Sequence, residues 1–247
     1  MIVESGFLVI IPTYNEVESA PLLISSVLRL APRVHILVVD DNSPDGTAEI
    51  CQEIADGDER VHVMSRVNKR GLGSAYIAGF GWGLSRGFVA MVEMDADGSH
   101  RPEDLVVMLE SFEVDPSLDL VIGSRWVSGG TVQNWAGHRV LLSRCANKYA
   151  KVLLGIAIND MTAGFRVYRA TLLSRIDFSS VVSEGYCFQI EMTRKVHALG
   201  GLIHEVPITF VERQFGVSKM NSKIVIEAIL LVTLWGLLRP LEALRRK

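Results

Sequence analysis

The chain has 247 residues, with 25 basic against 28 acidic side chains and a formal charge of −3, which gives no reason to expect nucleic acid as a partner. A hydrophobic content of 49 % and a mean hydropathy of +0.27 suit one sizeable domain with a full core, yet no apolar run is long enough for an obvious bilayer span. Cys51, Cys145 and Cys187 are odd in number, far apart and without metal-ligand spacing, and the N-terminal residues lack a basic signal-peptide start. Both features point to reduced thiols in an intracellular setting.

Residues 7–11 form an apolar run stopped by Pro12 and read as a buried strand. Asn15 and Glu16 open a helical pattern to about Leu30, with Leu22, Leu23, Val27 and Leu30 on one face. A second buried strand at 36–39 ends in Asp40 and Asp41, a helix follows at 46–55, and a third strand at 61–64. Residues 71–85 read as a glycine-punctuated helix and 88–94 as a fourth strand ending at Asp95. A strand at 118–122 precedes a loop-like stretch, 123–137, then a helix at 139–154 and a strand at 167–168. A helix near 188–199, a strand at 203–206 and an apolar segment at 224–238 complete the chain. Strands alternating with helices predict an α/β fold with a mostly parallel sheet. Ligands of such sheets bind beyond the carboxyl ends of the strands. Polar residues collect there after the first, second and fourth strands, at Thr13–Glu16, Asp40–Asn42 and Asp95–Asp97.

Asp95-Ala96-Asp97 leaves an apolar strand with two carboxylates two residues apart, either an acidic turn or a seat for a hard divalent cation beside phosphate oxygens. The segment 39–47 is either a strand cap and turn, with Asp45 or Thr47 capping a helix, or a place where Asp40 and Asp41 meet nucleotide hydroxyls. No Gly-x-Gly-x-x-Gly follows the first strand and no P-loop occurs, which argues against NAD, FAD and P-loop nucleotide sites. Asn68-Lys69-Arg70-Gly71-Leu72-Gly73 is as readily an anion cradle at a helix N-terminus as a surface loop. Gln189 and Glu191 are equally sugar-hydroxyl contacts or buried helix polars.

Taken together, Ile11-Pro12-Thr13-Tyr14-Asn15-Glu16, the 39–47 segment and Met94–Glu103 resemble the nucleotide-sugar domain of the family 2 glycosyltransferases. They look most like the polyprenol (dolichol) monophosphate mannose synthases. Gly123-Ser124-Arg125-Trp126, Asp160–Arg166 and Glu212–Met220 extend the match from about Val9 to Met220. The resemblance implies a GT-A-type, Rossmann-like mixed sheet and inverting transfer of mannose from GDP-mannose to polyprenyl phosphate, with Mg²⁺ or Mn²⁺ as cofactor. A related enzyme using UDP-glucose or another donor, and an inactive membrane-docking subunit, are the alternatives. Pro12, Tyr14, Glu16, Val39 and Asp41 match guanosine positions. Asp95, Ala96 and Asp97 match the metal and diphosphate positions, and Ser99 stands where most relatives carry a glutamine of the metal shell. Arg125, Arg139 and Ser143 match positions that grip the acceptor phosphate, while Arg213 and Lys219 match basic groups of a mobile loop over the donor phosphates. Asp97, Arg125 and Arg139 are accordingly the expected catalytic residues. An ionised phosphate monoester is already a nucleophile, so no general base is expected.

Two segments bear on the membrane. Helix 139–154 carries Arg139, Ser143 and Asn147 on one face, Arg144, Lys148 and Lys151 on a second, and Leu142, Cys145, Tyr149 and Leu153 as an apolar stripe. A basic edge beside an apolar stripe suits an interfacial helix. Residues 224–238 would extend about 22 Å as a helix, short of the hydrocarbon core of about 30 Å. Arg239-Pro240 reads as their stop, and Trp235 with the terminal Arg245-Arg246-Lys247 as an interface anchor. We expect a catalytic domain over 1–220 and a C-terminal docking helix over 221–247. It would hold the protein peripherally to the cytoplasmic face of a membrane or to an integral membrane partner.

Overall fold

The computed structural model describes residues 6–67, 71–183, 185–213 and 222–244. Lys69, Arg70, Lys219 and the terminal basic cluster lie outside them. The chain runs β1 (Phe7–Thr13), α1 (Ser19–Leu30), β2 (Val34–Asp40), α2 (Thr47–Gly57), β3 (Val61–Ser65), α3 (Leu72–Ser85), β4 (Ala90–Glu93), α4 (Pro102–Val114) and β5 (Leu120–Ser124). It continues through β6 (Thr131–Gln133), α5 (Gly137–Leu154), β7 (Arg166–Arg169), α6 (Ala170–Leu173), α7 (Gly185–Ala198), β8 (Ile203–Pro207), β9 (Thr209–Val211) and α8 (Ser222–Leu244). A seven-stranded sheet has the order β3-β2-β1-β4-β7-β5-β8, and β6 pairs with β9 in a small second sheet. Every pairing in the large sheet is parallel except those of β7, which runs antiparallel to β4 and β5.

Strand alternation divides the core into two layers. Val9 and Ile11 of β1 pack with Ile24 and Val27 of α1, Cys51 of α2 and Leu105 and Met108 of α4. Leu8 and Ile10 turn the other way, toward Tyr76 and Phe80 of α3, Phe188 of α7 and Val232 and Trp235 of α8. Helix α3 can lie this close because of its glycines: a Cβ on Gly79 would stand 2.6 Å from Ile10, and one on Gly73 would stand 2.7 Å from the Phe188 ring.

Several expectations change. The buried face of α1 is Ala20, Leu23, Ile24 and Val27, whereas Leu22 is 61 % exposed. Helix α4 was not anticipated, because Glu103, Asp104, Glu110 and Glu113 dilute its apolar face. The expected loop at 123–137 contains β6. Helix α8 passes through Pro240 to Leu244, about 34 Å by helical rise, because a proline removes one backbone bond from a helix held by packing further back. Trp235 is no surface anchor: it is 7 % exposed, with the Arg194 guanidinium 5.1 Å from its ring. Among the described residues no helix is long and apolar enough to cross a membrane.

Candidate active site

The site lies at the carboxyl edge of β1, β2 and β4. Asn15 and Asn42 adopt left-handed backbone angles, with φ of 60° and 58°, where the chain turns off β1 and β2. Asp40 is fully buried and accepts from Thr13 Oγ1 at 2.8 Å and Ser43 N at 2.8 Å, so it braces the turn. Asp41 pairs with Arg66 at 2.9 Å. Asp45 accepts from Val17 N at 3.2 Å and Thr47 N at 3.1 Å, tying the Tyr14–Glu16 turn to the start of α2. Pro12, Tyr14 and Glu16 are part-exposed around this cleft, but Val39 is fully buried in the core and offers no side chain to it.

Asp95 and Asp97 follow β4 in a turn whose Gly98 has φ of 78°. Asp97 Oδ1 accepts Ser99 N at 3.0 Å, while Asp97 Oδ2 lies 3.5 Å from Arg213 Nη1. Asp95 Oδ1 accepts the Tyr76 hydroxyl at 3.1 Å, and its backbone N–H donates to His100 Nδ1 at 3.0 Å. That bond fixes the His100 tautomer, and the ring stacks on Phe165 at 4.7 Å. Burial raises the Asp95 pKa, with the Asp97 charge adding to it, and burial lowers that of His100. Ala96 is buried. Among the described residues no three His, Cys, Asp or Glu side chains converge as a metal cage. Two carboxylates and a buried Ser99 Oγ without a hydrogen-bond partner nonetheless form an oxygen donor set of the kind hard cations take together with phosphate and water.

Behind this turn, Gln189 is 2 % exposed and its Nε2 donates to Glu93 Oε2 at 2.8 Å. Burial pushes Glu93 up to about 8 against the pull of Arg166, its direct cross-strand neighbour. Glu191 accepts Val182 N at 3.2 Å and Ser183 N at 3.1 Å. Glu191 is thus a buried polar with structural partners, whereas Gln189 Oε1 is buried without a hydrogen-bond partner.

The acceptor candidates sit across the cleft. Arg125 is 5 % exposed and locked to Asp160, its Nε at 2.7 Å and Nη2 at 2.6 Å, with Nη2 also 2.9 Å from Thr162 Oγ1. Asn147 of α5 donates to Asp160 and Thr162, and Glu205 accepts the Asp160 N–H at 2.9 Å. Arg139 places its guanidinium carbon over Trp135, 4.0 Å from the ring centre, and pairs with Glu212. Arg125, Arg139, Ser143 and Trp135 line one end of a groove of about 370 Å³ whose apolar length runs between Leu142 and Tyr149 of α5 and Ala228, Ile229 and Val232 of α8. Beside it Leu141, Val152, Leu230, Leu234 and Leu237 are exposed. The structure therefore brings together Asp95, Asp97, Ser99 and Arg213, and separately Arg125, Arg139 and Ser143. Tyr76, His100, Asp160 and Glu212 were absent from the expected site residues, although His100, Asp160 and Glu212 lie within the segments that carry the resemblance.

The glycosyl transferase family 2 model matches residues 8–177. A polyprenol monophosphomannose synthase of Mycolicibacterium smegmatis is 54 % identical over 239 residues, 96 % of this chain and 89 % of that protein. An undecaprenyl-phosphate mannosyltransferase of Micrococcus luteus is 50 % identical over 240 residues, 97 % of this chain and 98 % of that protein. The fold is shared with glucosyl-3-phosphoglycerate synthase of Mycobacterium tuberculosis, solved in complex with UDP, at 19 % identity and a TM-score of 0.68 over 94 % of this chain and 80 % of that one. The same enzyme with Mn²⁺, UDP-glucose and phosphoglyceric acid gives 20 % identity and a TM-score of 0.68, covering 94 % and 79 %.

Proposed function

This chain belongs to glycosyl transferase family 2, and from that premise we propose that it transfers mannose from GDP-mannose to a polyprenyl phosphate with inversion. The observation that carries the acceptor half is the groove: an apolar trough that ends on two arginines and Ser143 suits a hydrocarbon chain with a phosphate head. The names of both relatives, a polyprenol monophosphomannose synthase and an undecaprenyl-phosphate mannosyltransferase, support the same acceptor and sugar.

On this reading Tyr14, Glu16 and Asp41 hold the guanosine. Asp95 and Asp97, with Ser99, hold Mg²⁺ or Mn²⁺, which supplies neutralisation of the diphosphate leaving group. Arg125 and Arg139 hold the acceptor phosphate, and their fixed geometry orients one of its oxygens in line with the anomeric carbon. The new bond joins that oxygen to the sugar carbon as the bond to the diphosphate breaks, so GDP departs with the electron pair and the α-linkage becomes β. The phosphate monoester is already ionised, and the chain therefore needs no base. Trp135 and Phe210 stand near Arg125, with ring centres 5.4 Å away, and shield the exchange from water. The exposed apolar residues of α5 and α8, flanked by Arg144 and Lys148, dock the groove's mouth on a membrane surface.

The test is transfer to a prenyl phosphate by purified protein with GDP-mannose or UDP-glucose as donor, with and without chelator. Faster turnover of UDP-glucose would refute the donor assignment, and transfer only to non-phosphorylated acceptors would refute the acceptor.

A further inference from the structure

The two arginines at the head of the groove are held very differently. Arg125 is 5 % exposed and locked to the fully buried Asp160. Arg139 stands in the first turn of α5, and its carboxylate partner Glu212 is 31 % exposed. An ion pair that open to water holds a long side chain only weakly. The other contact of Arg139 is the Trp135 ring, whose centre lies 4.0 Å below the guanidinium carbon. That ring is itself fixed. Asn134, at φ of 63°, turns the chain off β6, and Ala136 caps α5, its carbonyl accepting the Arg139 N–H at 2.9 Å. Phe210 and Trp126 meet the indole edge to face, at 76° and 67°, with ring centres 5.4 and 6.5 Å away. The indole N–H is buried without a hydrogen-bond partner. Hydrogen bonding therefore does not account for a tryptophan at this position. Its face does, because indole attracts a cation more strongly than any other aromatic side chain.

We propose that Trp135 is a positioning residue for the acceptor: its ring carries the face of the Arg139 guanidinium and so keeps that side chain at the head of the groove, ready for a phosphate monoester. The proposal rests on the acceptor reading above. Edge and face of a guanidinium serve different partners. Phosphate oxygens bind along the N–H edge, whereas an aromatic ring binds the plane, so the ring contact persists when a phosphate arrives. Without the ring, Arg139 would lose its rotamer freedom anew at each binding event. Fixing it in advance should improve phosphate affinity about tenfold, which is about 1.4 kcal/mol.

The experiment is calorimetric titration of the full chain with farnesyl monophosphate, with a parallel titration of GDP plus Mn²⁺ as the control. Trp135→Leu should weaken the farnesyl probe about tenfold while leaving GDP affinity within about twofold of wild type. Trp135→Phe keeps a ring with a weaker pull on the cation and should stay within about threefold for the probe. In an Arg139→Ala background the platform has nothing to carry, so adding Trp135→Leu should cost less than about twofold more. A loss of about tenfold from Trp135→Leu in both backgrounds would show that Trp135 acts without Arg139, and the proposal is overturned. Trp135→Phe as weak as Trp135→Leu, or Trp135→Leu as tight as wild type, overturns it as well. If Arg139→Ala alone binds the probe like wild type, the acceptor reading itself falls and the platform with it.

Discussion

Replacing Asp160 by asparagine keeps the shape of the side chain but removes the negative charge on which Arg125 depends. Asp160 has no exposed surface and Arg125 has 5 %, so neither gains much from solvent when the pair is broken. Three N–H groups of Arg125 end on the carboxylate, at 2.9, 2.7 and 2.6 Å, and an asparagine would turn an NH₂ toward one of them. Leaving a buried charge without its counter-ion costs about 3–5 kcal/mol. That is a large share of the roughly 5–15 kcal/mol that holds a domain folded. At about 2–4 °C per kcal/mol for a chain of this size, the midpoint should drop by roughly 6–20 °C. Urea and thermal unfolding at pH 7.5 measure this. Arg125→Leu combined with Asp160→Leu removes both charges and should be less destabilised than Asp160→Asn. A loss below about 1 kcal/mol in Asp160→Asn, or a double variant worse than the single, would refute the idea that the pair is held by mutual neutralisation.

Asp97→Ala should cut transfer at least about 100-fold while unfolding at nearly the wild-type midpoint, because removing an edge carboxylate opens no core cavity; transfer that survives thorough chelation would show that no cation is needed. The stacked pair His35 and His62, rings 5.5 Å apart with Nδ1 and Nε2 at 3.3 Å, should make stability pH-dependent. Burial lowers the pKa of both below the ordinary 6.5, with Arg60 adding to the shift at His35, and His35 and Arg86 adding at His62. The unfolded chain therefore takes up protons first, so their contribution is complete above pH 6.5 and is lost as pH falls below it. His35→Asn should flatten the change in urea midpoint between pH 7.5 and 5.5, and an unchanged slope would exclude the pair as its source. Leu230→Glu with Leu237→Glu, at positions 64 % and 72 % exposed, should weaken sedimentation with anionic vesicles at least about tenfold without lowering the unfolding midpoint. Undiminished vesicle binding would remove α8 from the docking surface.

Much of the parallel sheet was legible because β1, β2 and β4 are short, largely apolar runs, a pattern that burial on both faces imposes, and β2 and β4 lead into aspartates. The reversal of β7 was not, because Val167 and Tyr168 read the same in either direction and the pairing is decided by strands more than 40 residues away in sequence. Periodicity located α5 to within two residues, but it could not separate the face of Asn147, which is buried against Asp160, from its exposed neighbours. In the site, Asp95 and Asp97 stood out by spacing. Asp160 and Glu212 did not, since each acquires its meaning from an arginine 35 or 73 positions away. The two adjacent aspartates at the end of β2 looked equivalent, and only the strand's alternation, which buries Asp40 against Thr13, separates them.

Arg166 has no exposed surface, yet it sits in the four-residue strand β7 at the middle of the sheet. Its guanidinium donates to the carbonyls of Ala163, Met161 and Gln189 and to Thr193 Oγ1, at 2.7, 2.7, 2.9 and 3.0 Å. Hydrophobic residues alone would leave so short a strand nearly indifferent to its alignment. A shift of one position would instead send the cation to the opposite face of the sheet, away from every one of these oxygens. The buried charge thus works as an index mark, admitting one alignment of β7 between β4 and β5. Because β7 runs backwards, the turn that precedes it, carrying Asp160, Thr162 and Gly164, arrives at the same edge as the turn that follows β4. Alignment of this single strand therefore sets the distance between the two halves of the reaction site.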